Sequence, residues 1–152
     1  MGENVADRAA VLQEYLHGRI PISAAMDVRV LSASPESVVL AAPIEPNVNH
    51  RETVFGGSAA AVATLAAWSV LHLALQAQGR EVRLVIQRSV MDFERPIPGG
   101  FTATASRPSA ADWSKFERSL SRRNRARIAV RSELWVDQRR VGSFEGDFVA
   151  IA

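Results

Sequence analysis

Between Gly57 and Ala77 the chain runs for 21 positions without a charged side chain, and eight of those positions are alanine. Alanine at that density favours a helix. A helix of 21 residues rises about 32 Å, enough to cross a bilayer core. We do not read it as a membrane span, because Thr64 and His72 interrupt the run and strand patterns flank it on both sides. A helix that is apolar all round must then be surrounded by protein, and a chain of 152 residues does that by wrapping a sheet around it.

The flanking sequence supplies the sheet. Ala6, Ala9, Ala10, Val11, Leu12 and Leu16 share one side of a short leading helix over 6–17, with Gly18 as its stop. The Ile20-Pro21 step favours extended chain into a strand over 26–32. The turn residues SASPES then lead to a second β-prone run over 36–42, which predicts a hairpin. Prolines and asparagines over 43–56 predict an irregular loop. After the long helix come β-rich runs over 82–93 and 101–106, joined by PIPGG as a turn. The cleanest alternation lies over 125–137, where Ala126, Ile128, Val130, Ser132, Leu134 and Val136 face one way and Arg125, Arg127, Arg131, Glu133 and Asp137 the other. A last strand over 141–151 carries Gly142 and Gly146, which suggest bulges. The predicted order is helix, two strands, long helix and a four-strand antiparallel meander: an α+β protein whose residues 1–152 form one domain.

Composition removes several classes of function. The chain has no cysteine, so disulfides and thiolate chemistry are excluded. His17, His50 and His72 are scattered and show no metal-ligand spacing, so no metal is expected. The first residues lack the charged and apolar regions of a secretory signal, and Ala6 breaks a myristoylation pattern, so a cytoplasmic location and no membrane are the expectations. Arginine makes up 17 of the 18 basic residues, and residues 80–140 carry a balance of +7. Such a block suits an anionic partner or a solvated strand face. A nucleic acid is disfavoured, since aromatic side chains do not interleave with these arginines.

Candidate chemistry concentrates just before the long helix, in Asn47-Val48-Asn49-His50-Arg51-Glu52-Thr53-Val54-Phe55-Gly56-Gly57-Ser58. Two glycines let backbone approach a ligand, and the first turn of a helix presents free N–H groups at a positive dipole end. Such a place can hold the oxygen of a carbonyl that gains charge during acyl transfer. The plainer alternative is a helix start capped by Ser58. Ser58 is not read as a nucleophile, because G-G-S is not the G-x-S-x-G elbow.

In Asn49, His50, Thr53, Phe55-Gly56-Gly57-Ser58 and the alanine-rich helix that reaches Trp68, the sequence resembles the hotdog-fold thioesterases, in particular the YiiD C-terminal domain group. The resemblance implies a long central helix wrapped by an antiparallel sheet, with two subunits joined edge to edge as a homodimer and active sites at their interface; pairing of dimers into a tetramer stays open. It implies acyl-coenzyme A or acyl-carrier-protein thioesters as substrates, with coenzyme A entering only as part of the substrate and no separate cofactor. By the same resemblance Gly57 donates its amide to the thioester carbonyl and Asn49 positions substrate or water. The acidic residue that many relatives carry about two turns into the helix falls on Thr64, and the histidine that many carry falls on Phe55. The helix has neither Asp nor Glu, so His50 or Glu52 is the candidate replacement base, with Asp92 of a neighbouring subunit a further one. Phe55, Gly56, Ser58 and Trp68 are candidate substrate contacts. Arg122, Arg123 and Arg125 are candidates for the phosphates of coenzyme A, ahead of Arg88 and Arg95. A domain that binds acyl-coenzyme A without hydrolysing it is the alternative.

Overall fold

The computed structural model describes residues 4–152. Helix α1 spans Val5–Arg19 and is capped by Asn4, whose side chain accepts from the Ala6 amide. Of the face expected from the spacing it buries Ala9, Leu12 and Leu16, while Ala6, Ala10 and Val11 are exposed. Gly18 does not stop it: the helix continues to Arg19, and the Ile20 amide closes it on the Leu16 carbonyl at 2.8 Å. Nor is the following chain extended. Pro21 begins a short helix α2, Pro21–Ala25, because its fixed φ and missing N–H suit a first helical turn.

Strands β1, Arg29–Ala33, and β2, Ser37–Ala42, form the expected antiparallel hairpin. A 3-10 turn over Glu45–Asn47 leads to the loop before α3, Gly56–Ala77. Strand β3 spans Arg83–Phe93 and β4 Phe101–Ser106. Between β4 and the next strand lies α4, Ala110–Arg123, which the predicted order omits. Its signals are real but sparse. Ser109 caps it, Trp113, Phe116 and Leu120 form its one buried stripe, and Asn124 closes it in the left-handed conformation at φ 56°. Strands β5, Arg125–Val136, and β6, Arg139–Ile151, complete the chain.

The six strands form one antiparallel sheet in the order β1-β2-β4-β5-β6-β3. The expected meander is therefore corrected. β3 pairs with β6 at the sheet edge and not with β4, so residues 94–100 cross to the other side of the sheet instead of turning a hairpin. Of the two glycines read as bulges, Gly142 adjoins a register shift and Gly146 does not. Gly146 instead makes room for rings: a Cβ there would lie 2.8 Å from Phe148 and 2.9 Å from Phe144.

The sheet curls around α3, as expected for a helix with no polar side. Eleven of the 22 residues of α3 are buried, which accounts for a membrane-like length in a core helix. Small side chains let it lie close to the sheet. Ser132 on the inner face of β5 donates a 2.8 Å hydrogen bond to the Ala63 carbonyl. The less buried side of α3 is a stripe of Gly57, Ala61, Thr64, Trp68 and His72, spaced as one helix face and overlaid at Trp68 and His72 by Tyr15 of α1.

The two sheet edges differ. At β1 the edge is dressed by α1: Gln13 accepts from the Val30 amide at 3.0 Å, and the His17 imidazole bonds the Val28 carbonyl at 2.7 Å. At β3 an 11-residue strand ends the sheet, and its inner-face residues Ile86 and Phe93 are 40% and 59% exposed.

Candidate active site at the start of the central helix

The loop ahead of α3 is pinned from below by Asn47. Its side-chain amide is buried and donates to the carbonyls of Met26 at 2.9 Å and Pro43 at 2.8 Å. Its own backbone carbonyl accepts from the Phe55 amide at 2.7 Å. Above that anchor, a bridge between Val48 and Val54 closes a small hairpin. Asn49 organises its tip: Oδ1 accepts from the amides of Arg51 at 2.8 Å and Thr53 at 3.1 Å, and Nδ2 donates to Thr53 Oγ1 at 2.9 Å. Glu52 sits in the left-handed region at φ 62°, an uncommon conformation for a residue with a side chain. His50, Arg51 and Glu52 are exposed at the tip. The Val54 amide donates to the Ile97 carbonyl at 2.9 Å, which fastens the loop to the 94–100 crossover.

Phe55 is the N-cap residue of α3, and no side chain caps this helix end. Ser58 therefore lies within the first turn without capping it. The first amides of α3, those of Gly57 and Ser58, have no partner one turn back. Aromatic rings crowd both glycines. A Cβ on Gly57 would run into the Phe55 ring, and one on Gly56 would lie 3.3 Å from Phe93. Phe55 is 57% exposed, so this helix start is an open, apolar-rimmed site with backbone donors at its floor.

Two turns on, the Thr64 hydroxyl donates to the Ala60 carbonyl at 2.8 Å, the ordinary occupation of a helical threonine. One turn further, Trp68 Nε1 donates to the Leu84 carbonyl of β3 at 2.9 Å. Its indole lies nearly parallel to the His72 ring, with centroids 4.7 Å apart, and Tyr15 of α1 completes the group at 4.9 Å from His72. Burial pushes the His72 pKa below its ordinary value.

The structure thus brings Asn49, His50, Glu52, Phe55, Gly56, Gly57 and Ser58 to one end of α3. Thr64 and Trp68 lie along the stripe that leads away from it. Arg122, Arg123 and Arg125 are not at this end. Arg125 pairs with Ile151, which pairs with Arg83 at the start of β3, whereas Gly56 abuts Phe93 at its finish. Ten strand residues, roughly 33 Å, separate the two ends. Asp92 stands opposite Ser143 in the register and lines the outer face of the sheet with Arg131 and Glu133, on the side away from α3.

Residues 9–152 match the sequence profile of the family described as "Putative thioesterase (yiiD_Cterm)". The chain belongs to the YiiD C-terminal family. Solved structures carry the same fold. A protein of unknown function from Chlorobaculum tepidum TLS superposes with a TM-score of 0.88 at 24% identity, over 94% of this chain and 93% of that one. A protein from Shewanella oneidensis named as a putative thioesterase gives 0.86 at 22% identity, over 97% and 99% of the two chains. A protein from Pseudomonas aeruginosa named as a probable thioesterase gives 0.80 at 19% identity, over 93% and 94%. The hotdog fold of this YiiD C-terminal member is the one that the sequence resemblance implied.

Three residues of the site are absent from the sequence-level candidates. Asn47 lies within the polar segment but carries no mark of being the buried anchor. Phe93 reads only as the end of a strand, and Tyr15 only as part of the leading helix. Each reaches the site region through tertiary contacts that no local pattern signals.

Proposed function

We propose that this YiiD C-terminal member is a thioester hydrolase that acts on acyl-coenzyme A or acyl-carrier-protein thioesters as a homodimer. The observation that carries the reading is the start of α3. A 22-residue helix opens on two glycines with no side-chain cap, so its first N–H groups are free to bond a carbonyl oxygen that becomes negative in the transition state. Phe55 and Phe93 give that oxygen an apolar rim, and the Asn49 hairpin lies beside the approach.

The homodimer reading rests on the bare edge. A long strand with unpaired backbone groups and exposed apolar side chains favours pairing with a second copy, and a two-fold axis makes the pairing antiparallel. That arrangement sets the Arg83 end of one β3 beside the Phe93 end of the other. Arg122 and Arg123 of the partner subunit then come to the same end of the joined sheet as the site, where guanidinium groups suit the phosphates of coenzyme A, while Arg125 faces the outer side of the sheet.

The test is thiol release from a panel of short, long and aryl acyl-coenzyme A esters, followed with a disulfide-exchange dye. Saturable release that falls in Gly57→Val supports the reading. The uncharged α3 favours one alternative, a domain that binds the thioester and leaves it intact. Acyl-coenzyme A that raises the melting temperature without any thiol release would establish that alternative.

A further inference from the structure

An α3 without a carboxylate leaves the attacking water without a base in the helix, and the exposed His50 and Glu52 at the hairpin tip have no side-chain partner to orient them among the described residues. His72 is different. It belongs to a triangle of near-parallel rings, tilted 13° from Trp68 and 23° from Tyr15, which also stack on each other at 6.2 Å, and Trp68 is itself tied to β3 through Leu84. It stands half-buried on the same stripe of α3 as Gly57. Within one chain the two cannot cooperate, since fifteen residues of helix separate them by roughly 22 Å.

The strand that ends the sheet alters this. α3 and β3 run in opposite directions: Gly56 lies against Phe93, the last residue of β3, and Trp68 bonds Leu84, its second residue. If two copies of β3 pair antiparallel about the bulge at Gln87 and Arg88, Leu84 of one lies opposite Met91 of the other, two residues short of Phe93, and the inner-face side chains stay on one side of the joined sheet. The turn of α3 just beyond Trp68 in one copy is thereby brought towards the Gly56 level of the other, with the stripes of the two helices facing across the inner side of the joined sheet.

We propose that the partner subunit's His72 is the general base for the thioester bound at Gly57, so that each active site is built from both copies. The inference rests on the thioesterase and dimer reading given above. In the step, the imidazole takes a proton as the water oxygen bonds the carbonyl carbon, and the carbonyl electron pair moves onto the oxygen held by the Gly57 and Ser58 amides. When the tetrahedral intermediate collapses, the C–S bond breaks, and the departing sulfur recovers the proton from the imidazolium. The products are the free acid and the thiol, and the imidazole ends neutral. The titratable and charged groups around His72 are Tyr15 and Arg8 from α1, and Arg80 and Glu81 beyond the end of α3.

Complementation between dead subunits tests this. His72→Gln should lose ~10²-fold or more in kcat, the usual worth of a general base, and Gly57→Val should be inactive through its helix start. Random reassociation of equal amounts gives one intact site in each mixed dimer, so about a quarter of wild-type activity should return on mixing. A mixture that stays dead, although its subunits exchange, overturns the proposal. A second readout needs no turnover: the chain has no cysteine, so His50→Cys on one tagged copy and His72→Cys on another should join through a short bismaleimide. Dimers that form without this cross-link overturn the shared site. A pair that forms the cross-link while the wild-type protein releases no thiol would instead overturn the hydrolase reading, and His72 as base with it.

Discussion

Ser132 and Ala63 are 69 positions apart and joined by a 2.8 Å hydrogen bond from the serine hydroxyl to the helix carbonyl, inside the core. The bond ties the inner face of the sheet to the middle of α3. It fixes how α3 lies along β5 where the packing is otherwise alanine and valine, which specify position weakly. Ser132→Ala removes a buried donor and leaves the carbonyl its helical partner, so it should cost about 1 kcal/mol. Chemical denaturation checks this, with Ser143→Ala on the outer face as a control that should stay within about 0.5 kcal/mol of wild type.

Asn49 should act by holding the hairpin. Its side chain spends both polar atoms on the amides of Arg51 and Thr53 and on the Thr53 hydroxyl. Asn49→Ala should lower turnover roughly 10-fold or more while moving the melting temperature little, because a surface hairpin contributes little to global stability. Asn49→Asp keeps the two acceptor bonds and can accept from Thr53 Oγ1, so it should recover most of the lost rate. A dead Asp variant would mean that Nδ2 donates to the substrate.

A third prediction concerns Gly57. Alanine there favours the helix by up to about 1 kcal/mol, but its Cβ must displace the Phe55 ring, which occupies that space. Because that ring is exposed, the displacement is cheap for the fold and costly for the site. Gly57→Ala should therefore leave denaturant stability within ~1 kcal/mol of wild type and reduce turnover. The double variant Phe55→Ala/Gly57→Ala then tells whether the ring or the amide is the cause: restored turnover points to a ring that blocked the site, continued loss to a ring that shields the oxyanion.

Features whose partners are close along the chain are legible in the sequence. The charge-free run specifies α3 because no other element can hide it, and β5 shows its two faces through strict alternation. The site loop is readable because Asn49 and Gly57 are eight positions apart. The α4 helix is hard to see because only Trp113, Phe116 and Leu120 are buried in a charged background. The expectation of a β3 to β4 hairpin fails because PIPGG can bridge a sheet as readily as turn it, and only the pairing of β3 with β6 decides between them. The Tyr15 and Trp68 rings, 53 positions apart, meet because α1, packed along β1, extends its Tyr15 side chain to α3.

Burial of His72 makes stability depend on pH in a stated direction. Desolvation lowers its pKa in the folded protein below the ordinary 6.5, so the folded chain holds the ring neutral where the unfolded chain has begun to protonate it. The stability linked to the neutral ring is fully present above pH 6.5 and is lost as the pH falls toward the lowered value. One proton sets a ceiling of about 1.4 kcal/mol per pH unit on the slope, and solvent around a half-exposed ring reduces it. The chain holds other ionisable groups, so the measurement is a difference: melting temperature against pH for wild type minus that for His72→Gln. The two curves should run parallel at about pH 7 to 8 and separate below 6.5, the wild type falling more steeply. Curves that stay parallel down to about pH 5 would show that the ring is freely hydrated and not packed against Tyr15 and Trp68.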